Sequence, residues 1–306
     1  MSKEYDALVR NGTWELVPSN PSQNVVGCKW IFCTKRNSNG SIDRFKACLV
    51  AKDVNNAFLQ GTKISLHLGD KLSDPTEFRA VVGSLQYLLL TRLDIAFVVN
   101  KLSQFMHTPT IEHWTLVKCL LRYLCGTPNH SLQLYCDSPL SLHAFSDALH
   151  AYSDANWAGD PYDLSSTGAY IVYLGRNPIS WSSKKQKTIA RSPTEAEYRS
   201  VANTVAELNW VSFLLCDLGI QLPTCPIIYC DNVGATQVCS NPVFHSRMKH
   251  VALDFHFIRD QVQKGILRVA HVSSTDQLAD LLTKSLPRAR FLFLRDKIGL
   301  SCRAPS

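Results

Sequence analysis

Apolar residues recur every three or four positions in the middle of the chain, between residues 63 and 140. The stretches EFRAVVGSLQYLLL and WTLVKCLLRYLCG show this spacing, which places the apolar side chains on one face of a helix. Gly126 is a typical stop signal and is expected to end the second of these helices. Carboxylates, histidines and cysteines do not group in this region, so a helical segment with a packing role is predicted.

The first 62 residues have short strand-like runs instead of a helical period. GCKWIFCTK (27–35) and FKACLVAK (45–52) flank the turn signal NSNGS (37–41), and the two runs are predicted to pair as a hairpin. One hairpin buries too little apolar surface to fold as a domain.

From about residue 141 the pattern changes to strands that alternate with helices. Three strands are predicted first, in AYSDANWAG, TGAYIVYLG and PISWSSKKQKTIA, and a long helix follows from Ser192 to Gly219. The remainder is predicted as a strand in PIIYCD, two helices, a strand in LRVAHVS and a last helix in STDQLADLLTKSL. This order predicts one mixed sheet covered by helices, an α/β fold. The chain thus divides into three predicted parts, residues 1–62, 63–140 and 141–306.

Composition and charge narrow the class of protein only a little. With 45% hydrophobic residues the chain is expected to be globular, and its net charge of +7 is compatible with a nucleic-acid partner without requiring one. Eleven cysteines without a CxxC pair argue against a disulfide scaffold and a zinc site, and they predict an intracellular protein with reduced thiols. The charged N-terminus and the short apolar run AVVGSLQYLLL (80–90) predict a soluble protein with no signal peptide and no membrane partner.

Four carboxylates in the last part are candidates for a metal site, and the first two are Asp154 and Glu197. Asp154 lies inside the first strand of the predicted sheet. Glu197 lies in the first turns of the long helix, in line with the inward apolar stripe of Val201, Val205 and Leu208. An acid that points inward is costly unless a positive charge meets it. This position therefore favours a functional role for Glu197.

Helix capping is the alternative role for Glu197, because Thr194-x-x-Glu197 fits the capping-box pattern. Ser192 and Glu195 fit that pattern better, since Pro193 would then occupy the first helical position. Glu195 can in that case serve the cap and leave Glu197 free. Both roles remain open at this point.

The other two candidates, Asp231 and Asp280, lie near element boundaries. Asp231 ends a strand where a helix begins, at the sheet edge where ligands bind, although a turn-forming Asp would stand in the same place. Asp276 and Asp280 share a face of the last predicted helix; Asp276 suits the helix dipole, whereas Asp280 alone fits a solvated position. Together the acids suggest oxygen ligands for Mg²⁺. Two ions about 4 Å apart would stabilise the attacking and leaving oxygens of phosphodiester hydrolysis.

Several ordered motifs resemble the ribonuclease H domain of copia-type LTR retrotransposon Pol polyproteins. They are SDANWAGDPYDLSSTGAYIVYLGRNPISWSSKKQ, RSPTEAEYRSVA, IYCDNVGATQ, NPVFHSRMKHVALDFHFIRD and DQLADLLTKSLPRARF. The resemblance implies a ribonuclease H-like mixed five-stranded sheet with flanking helices, and Mg²⁺-dependent cleavage of the RNA strand of RNA–DNA hybrids, with Mn²⁺ as a substitute. Its four catalytic, metal-binding acids map onto Asp154, Glu197, Asp231 and Asp280. Pro193 and Ser285 depart from the pattern, where Ser and Pro are usual, without affecting the chemistry.

Three lysines are candidate contacts to nucleic-acid phosphates. Lys184, Lys185 and Lys187 follow Trp181, which could pack beneath them. A solvated turn is an equally simple explanation of this basic run. Binding of a hybrid is expected to use backbone charge and 2′-hydroxyl groups rather than base sequence.

The first 140 residues resemble the reverse transcriptase of the same polyproteins in pieces: residues 1–62 resemble a truncated remnant of it, and TEFRAVVGSLQYLLLTRLDIAFVVNKLSQFMHTPTIEHW, within residues 63–140, resembles the segment that links the polymerase to ribonuclease H. NGTWELVP, GCKWIFCTKRNSNGSIDRFKACLVAK and DVNNAFLQG are similar to fingers and palm blocks, but Lys52 runs directly into Asp53 and the YVDD block is missing. Asp53 matches the first metal-binding Asp of the polymerase, yet the sequence contains no Asp-Asp dipeptide to complete that site. A two-metal polymerase needs those ligands. A remnant without reverse transcriptase activity is therefore predicted.

A doubled heptad, LHAFSDA followed by LHAYSDA, precedes the rest of the ribonuclease H motifs at residues 142–155. Side chains seven apart in a regular strand point to opposite faces, so Asp147 and Asp154 cannot both enter one site. Asp154 belongs to the copy in family context and is the predicted catalytic residue. An odd register shift from the insertion would turn it away from the site. A catalytically inactive remnant that at most binds nucleic acid is the alternative function.

Overall fold

A computed structural model describes residues 28–36, 42–51, 69–135, 149–160, 162–240 and 251–302 of the chain. The chain divides into two units, Met1–Ala57 and Phe58–Ser306. In the first unit, β1 (Cys28–Arg36) pairs with β2 (Ile42–Ala51) in an antiparallel ladder that sets Cys28 opposite Ala51. The predicted pairing of these two runs as a hairpin is therefore confirmed.

The described part of the second unit has helices first, followed by strands and helices. In chain order its elements are α1 (Thr76–Leu88), α2 (Ala96–Ser103), α3 (Ile111–Gly126), β3 (His130–Leu132), β4 (Leu149–Asn156), β5 (Thr167–Leu174), β6 (Asn177–Lys185), α4 (Pro193–Asp217), β7 (Ile227–Cys230), α5 (Val233–Ser240), α6 (Ala252–Gln263), β8 (Arg268–His271), α7 (Asp280–Thr283), α8 (Arg288–Lys297) and β9 (Leu300–Cys302). The helical period in the middle of the chain corresponds to α1–α3, and Gly126 is the last residue of α3.

Five strands form one mixed sheet in the order β6-β5-β4-β7-β8. β4 lies in the centre, antiparallel to β5 and parallel to β7. β6 pairs antiparallel with β5, and β8 pairs parallel with β7. The turn between β5 and β6 contains Gly175 at a φ of +59°, a conformation that glycine adopts without strain. The predicted mixed five-stranded sheet is confirmed.

Helix α4 covers one face of the sheet and begins as the sequence predicts. The Ser192 hydroxyl accepts a hydrogen bond from the Glu195 backbone N–H at 3.2 Å, and Pro193 is the first helical residue. The Glu195 carboxylate accepts from the backbone N–H of Arg191 at 2.9 Å. Below the cap, apolar side chains of α4 pack with those of β4, β5, β7 and α6: Leu149, Ala151, Val172, Val201, Val205, Leu208, Ile228, Phe255 and Ile258.

The opposite face of the sheet shares a hydrophobic core with helices α1–α3 and α8. This core joins residues from both sides of residue 140: Phe78, Val82, Leu93, Val99, Leu102, Leu120, Ala169, Ile171, Tyr173, Leu282, Phe291 and Leu294. Strand β3 also pairs with β9, so that His130 lies opposite Cys302. The predicted division into three parts stays a prediction, but its boundary at residue 140 runs between segments that pack together.

A buried ion pair holds α3 against the turn before α2. Both Asp94 carboxylate oxygens accept from the Arg92 guanidinium at 2.9 Å, and the Tyr123 hydroxyl donates to the same carboxylate at 2.6 Å. Arg92 also donates to the carbonyl oxygen of Thr127 at 3.0 Å. Buried charges are tolerated when they are paired and hydrogen-bonded in this way.

The last predicted helix is shorter in the structure than in the prediction. Residues 274–279 form turns, and α7 contains only Asp280–Thr283. The cause is the buried Gln277, whose amide donates to the carbonyl oxygen of Ser153 at 2.9 Å and accepts from the N–H of Ala279 at 3.3 Å. Within the described residues, no helix combines the length and the apolar character that a membrane span needs.

Candidate metal centre

Four carboxylates meet at the edge of the sheet where β4 and β7 end. The carboxylate oxygens of Asp154, Asp231 and Asp280 come within 4.8 Å of one another. Glu197 and Asp231 form a second group of the same size with the Cys230 thiol. Asp231 belongs to both groups, so the structure brings all four predicted acids together. Their catalytic role stays a prediction.

Asp154 is held on the site face of β4 by its neighbours. Its side chain is fully buried and accepts a hydrogen bond from the Thr283 hydroxyl. The Ser200 hydroxyl donates to the backbone carbonyl of Asp154 at 2.9 Å and so ties the strand to α4. The doubled heptad has therefore not turned Asp154 away from the other acids. Asp147, the first copy, lies outside the described residues.

The alternative that the sequence left open for Asp231 was a turn-forming role, but the neighbouring Asn232 supplies the side chain that begins the next helix. The Asn232 side chain accepts from the N–H of Ala235 at 2.9 Å and caps α5 in its place. The Asp231 carboxylate instead accepts from the Ser274 hydroxyl at 2.9 Å. Asn232 therefore caps the helix, and the Asp231 carboxylate faces the other acids.

Burial makes two of the acids hard to ionise. Burial raises the pKa of Glu197 to about 9, and the negative charges of Asp154 and Asp231 add to the rise. Burial also raises the pKa of Asp154 to about 6, against the attraction of Lys284. The Cys230 thiol lies 3.8 Å from the Glu197 carboxylate, and its pKa is raised by burial and by that carboxylate.

This donor set fits a hard divalent cation. Carboxylate oxygens are the ligands that Mg²⁺ takes from proteins, and a divalent charge would favour the ionised forms that burial disfavours. Asp154, Asp231 and Asp280 are the residues close enough to share one ion, and Glu197 with Asp231 could share another.

Two basic side chains flank the acids, and neither was singled out by the sequence. The Lys284 Nζ lies 2.6 Å from Asp280 Oδ1 and 3.3 Å from Asp154 Oδ1. Burial opposes the charge of Lys284, but the two carboxylates raise its pKa above the ordinary value. The Arg290 guanidinium lies 3.5 Å from Asp280 Oδ2. The spacing of four between Asp280 and Lys284 was the available signal.

Asp276 lies outside the acid group. Its carboxylate is 52% exposed and pairs with the Lys297 Nζ at 2.6 Å, and a hydrogen bond from Lys297 lowers its pKa. The choice of Asp280 over Asp276 therefore agrees with the geometry. Asp280 is buried rather than solvated.

The three candidate lysines differ in their surroundings. Lys184 and Lys187 are exposed, whereas Lys185 pairs with Asp160 at 3.0 Å and Asp163 at 2.6 Å. All three line a groove of about 490 Å³ that also includes Arg199 and Asn203. Lys184 and Lys187 are thus available to an anionic partner, and Lys185 is already neutralised. Asp53, the candidate of the degenerate polymerase site, lies outside the described residues.

The fold and this site define the class of protein. Three antiparallel strands, a long helix and two parallel strands carry acids from β4, α4, the end of β7 and α7 to one edge of the sheet. This arrangement is that of a ribonuclease H-like domain.

Curated relatives give the particular family. The chain is 60% identical over 258 residues to the Retrovirus-related Pol polyproteins from transposons RE2 and RE1 of Arabidopsis thaliana, and the match covers 84% of the chain. It is 36% identical over 224 residues, 73% of its length, to the corresponding polyprotein from transposon TNT 1-94 of Nicotiana tabacum. The chain belongs to the copia-type retrotransposon Pol polyproteins. It spans 17% of the length of the Arabidopsis relatives and 16% of the tobacco one.

The comparisons with protein-family models and with solved structures do not extend this assignment. No protein-family model matches the sequence. Among solved structures, a foamy viral protease-reverse transcriptase in complex with double-stranded DNA has a TM-score of 0.42 at 10% identity, covering 73% of this chain and 35% of that one. LC11-RNase H1, isolated from compost, has a TM-score of 0.36 at 14% identity, covering 45% of this chain and 93% of that one. These scores are too low to support a conclusion, and the assignment of the fold rests on the order of the strands.

Proposed function

We propose that the chain is a ribonuclease H-type endonuclease that hydrolyses the RNA strand of RNA–DNA hybrids. The observation that carries the proposal is the convergence of Asp154, Asp231 and Asp280, whose carboxylate oxygens lie within 4.8 Å of one another. Glu197 is the fourth acid. These residues would hold Mg²⁺, or Mn²⁺ in its place. Bound ions of this kind activate a water molecule and stabilise the charge of the leaving 3′ oxygen.

The residues of the chain contribute position and charge. Thr283 and Ser200 fix the carboxylate and the backbone of Asp154, and Ser274 fixes the carboxylate of Asp231. Glu197, whose pKa is raised to about 9, has to lose its proton when it becomes a ligand. The acids are thus held in place and partly protonated, and the binding of a divalent cation would release protons from them.

The substrate would be bound through its backbone. The exposed Lys184 and Lys187 line the basic groove beside β5 and α4, and phosphates are their natural partners. Lys185 contributes less because Asp160 and Asp163 already hold it. Recognition of the RNA strand would use its 2′-hydroxyl groups rather than base edges.

We further propose that the chain has no RNA-directed DNA polymerase activity. The support is the missing Asp-Asp dipeptide and the direct joining of Lys52 to Asp53. The same rearrangements, with the doubled heptad, favour a second candidate function: a catalytically inactive remnant that binds nucleic acid.

Cleavage of a labelled RNA–DNA hybrid by the full chain, with Mg²⁺ and with Mn²⁺, separates the two candidates. The Asp231→Asn variant removes a charge from the acid group, and Asp276→Asn is its matched control on an exposed ion pair. We expect cleavage by the unaltered chain and the control, and a loss of more than about 100-fold in Asp231→Asn, beyond the usual cost of disturbing a metal site. Hybrid binding without cleavage by the folded chain would establish the inactive remnant.

A further inference from the structure

Lys284 places an ammonium group at the acid centre. Its Nζ lies 2.6 Å from Asp280 Oδ1 and 3.3 Å from Asp154 Oδ1. The same two carboxylates form, with Asp231, the group whose oxygens lie within 4.8 Å of one another. A divalent ion bound there and the ammonium of Lys284 would therefore compete for the same two carboxylates.

The position of Lys284 allows it to leave. It directly follows α7, and its side chain is 36% exposed. The lysine stem is flexible, so that the ammonium can swing into solvent while the backbone stays in place.

Arg290, the other base at Asp280, is held differently. Its guanidinium donates to the backbone carbonyl oxygens of Thr275 and Ser274 as well as approaching Asp280 Oδ2. Its planar group is fixed from two sides, and it contacts the oxygen of Asp280 that Lys284 does not. Arg290 can therefore stay when Lys284 moves.

Lys284 offsets the repulsion between the negative charges of the acid centre. Carboxylates that converge in a buried place repel one another and resist ionisation unless a cation meets them. A lysine within reach of two of them stabilises the folded chain before any ion is bound. The same contact has to be broken when an ion binds, which lowers the affinity of the centre.

We propose that Lys284 is a displaceable counter-cation of the metal centre, which neutralises Asp154 and Asp280 and moves away when divalent ions bind. This inference rests on the proposed function, because it takes the acids to be metal ligands. It adds a regulatory consequence: the lysine sets the concentration of Mg²⁺ at which the centre fills.

Binding of Mg²⁺ to the full chain, measured by titration calorimetry without nucleic acid, tests the inference. The variant is Lys284→Gln. The matched control is Lys264→Gln, because the Lys264 Nζ pairs with Asp260 at 2.8 Å with the same spacing of four, and both side chains of this pair are exposed. We expect Lys284→Gln to bind Mg²⁺ about tenfold tighter than the unaltered chain, equivalent to about 1.4 kcal/mol. The control should bind Mg²⁺ as the unaltered chain does.

Thermal unfolding supplies an independent readout. In a chelating buffer Lys284→Gln should unfold at a lower temperature than the unaltered chain, and saturating Mg²⁺ should close that gap. Should the variant fail to fold without metal, Mg²⁺ should restore a cooperative transition. A gap that persists at saturating Mg²⁺ would contradict displacement. Lys284→Arg, which keeps the charge, should show no gain in Mg²⁺ affinity.

The outcomes separate this inference from the proposed function. Equal or weaker Mg²⁺ binding by Lys284→Gln would overturn displacement and leave the metal centre intact, since the lysine would then only position the carboxylates. Failure of all variants and of the unaltered chain to bind Mg²⁺ or Mn²⁺ would overturn both. Tighter binding in Lys284→Arg as well would show that the shape of the lysine, and not its charge, opposes the ion.

Discussion

Asn232 and Ser274 decide how the carboxylate of Asp231 is used. Asn232 caps α5 and Ser274 donates to Asp231, so the acid is spared a structural role and aimed at the centre. Thr283 does the same for Asp154. Neutral hydrogen-bond partners thus set the positions of charged groups, and burial then sets how readily those groups ionise.

The first prediction at this scale concerns pH and Glu197. Its pKa in the folded chain, about 9, lies above the ordinary value of 4.5, so the folded chain keeps a proton that the unfolded chain loses between these values. Stability without metal should therefore fall as pH rises through this window. Glu197→Gln removes this pH dependence. The variant should therefore be more stable than the unaltered chain, and this difference in free energy of unfolding should grow with pH by at most about 1.4 kcal/mol per pH unit.

Chemical denaturation in a chelating buffer near pH 5 and near pH 8 would measure this difference. Glu207→Gln is the control, because Glu207 lies on the same helix and accepts from the Ser180 hydroxyl away from the acids. A gain for Glu197→Gln that is the same at both pH values would contradict the raised pKa.

Single residues also show what sequence can and cannot predict. Asp154, Glu197 and Asp231 stand in local patterns, within a strand, on an inward helical stripe and at the end of a strand, so the sequence indicates them as candidates. Asp280 alone fitted a solvated position, and it was selected by the resemblance to the ribonuclease H motifs. The contact of Lys284 with Asp154 joins residues 130 positions apart, and no local pattern carries it. The shorter last helix could not be predicted for a similar reason: the bond from the Gln277 amide to the Ser153 carbonyl oxygen also joins residues that are far apart in the sequence.

Among the elements, α4 connects the fold to the site. Its first turn is fixed by the Ser192 cap, and its second carries Glu197 towards the end of β7. Its start was predictable because capping is a local rule of sequence. Its packing partners, spread over β4, β5, β7 and α6, were predictable only as a generic apolar face.

A prediction for this element is that Ser192→Ala destabilises the chain by about 1 kcal/mol, the usual cost of a lost N-cap. The hydroxyl accepts from the Glu195 N–H at 3.2 Å, and alanine leaves that donor without the bond. Thermal unfolding would measure the change, with Ser192→Asp as a variant that retains a capping oxygen. An equal loss in Ser192→Asp would point to a cause other than the cap.

In the second unit as a whole, the helices before residue 140 and the sheet after it share one hydrophobic core. Ile171 and Tyr173 of β5 pack with Val99, Leu120 and their neighbours, and β3 pairs with β9. The change of sequence period near residue 141 marks a change of secondary structure. It could not reveal the shared core, because contacts between distant segments leave no periodic trace.

A chain shortened to residues 141–306 should therefore lose cooperative unfolding. It would expose the apolar face of β5 and α8, and each large apolar side chain contributes about 1.5–3 kcal/mol when buried. Calorimetry of residues 69–306 beside residues 141–306 would measure this, and a sharp transition in the shorter chain would contradict the shared core. The hybrid-cleavage assay accordingly needs a chain that retains the helices before residue 140.

The pairing of β3 with β9 has a consequence for synthesis on the ribosome. These strands close a loop that contains the whole five-stranded sheet, and contacts over such separations slow folding. Helices α1–α3 leave the ribosome long before β9 and cannot complete their core until residues 300–302 follow. During that interval their apolar surface is exposed, and a chain with exposed apolar surface is prone to aggregate.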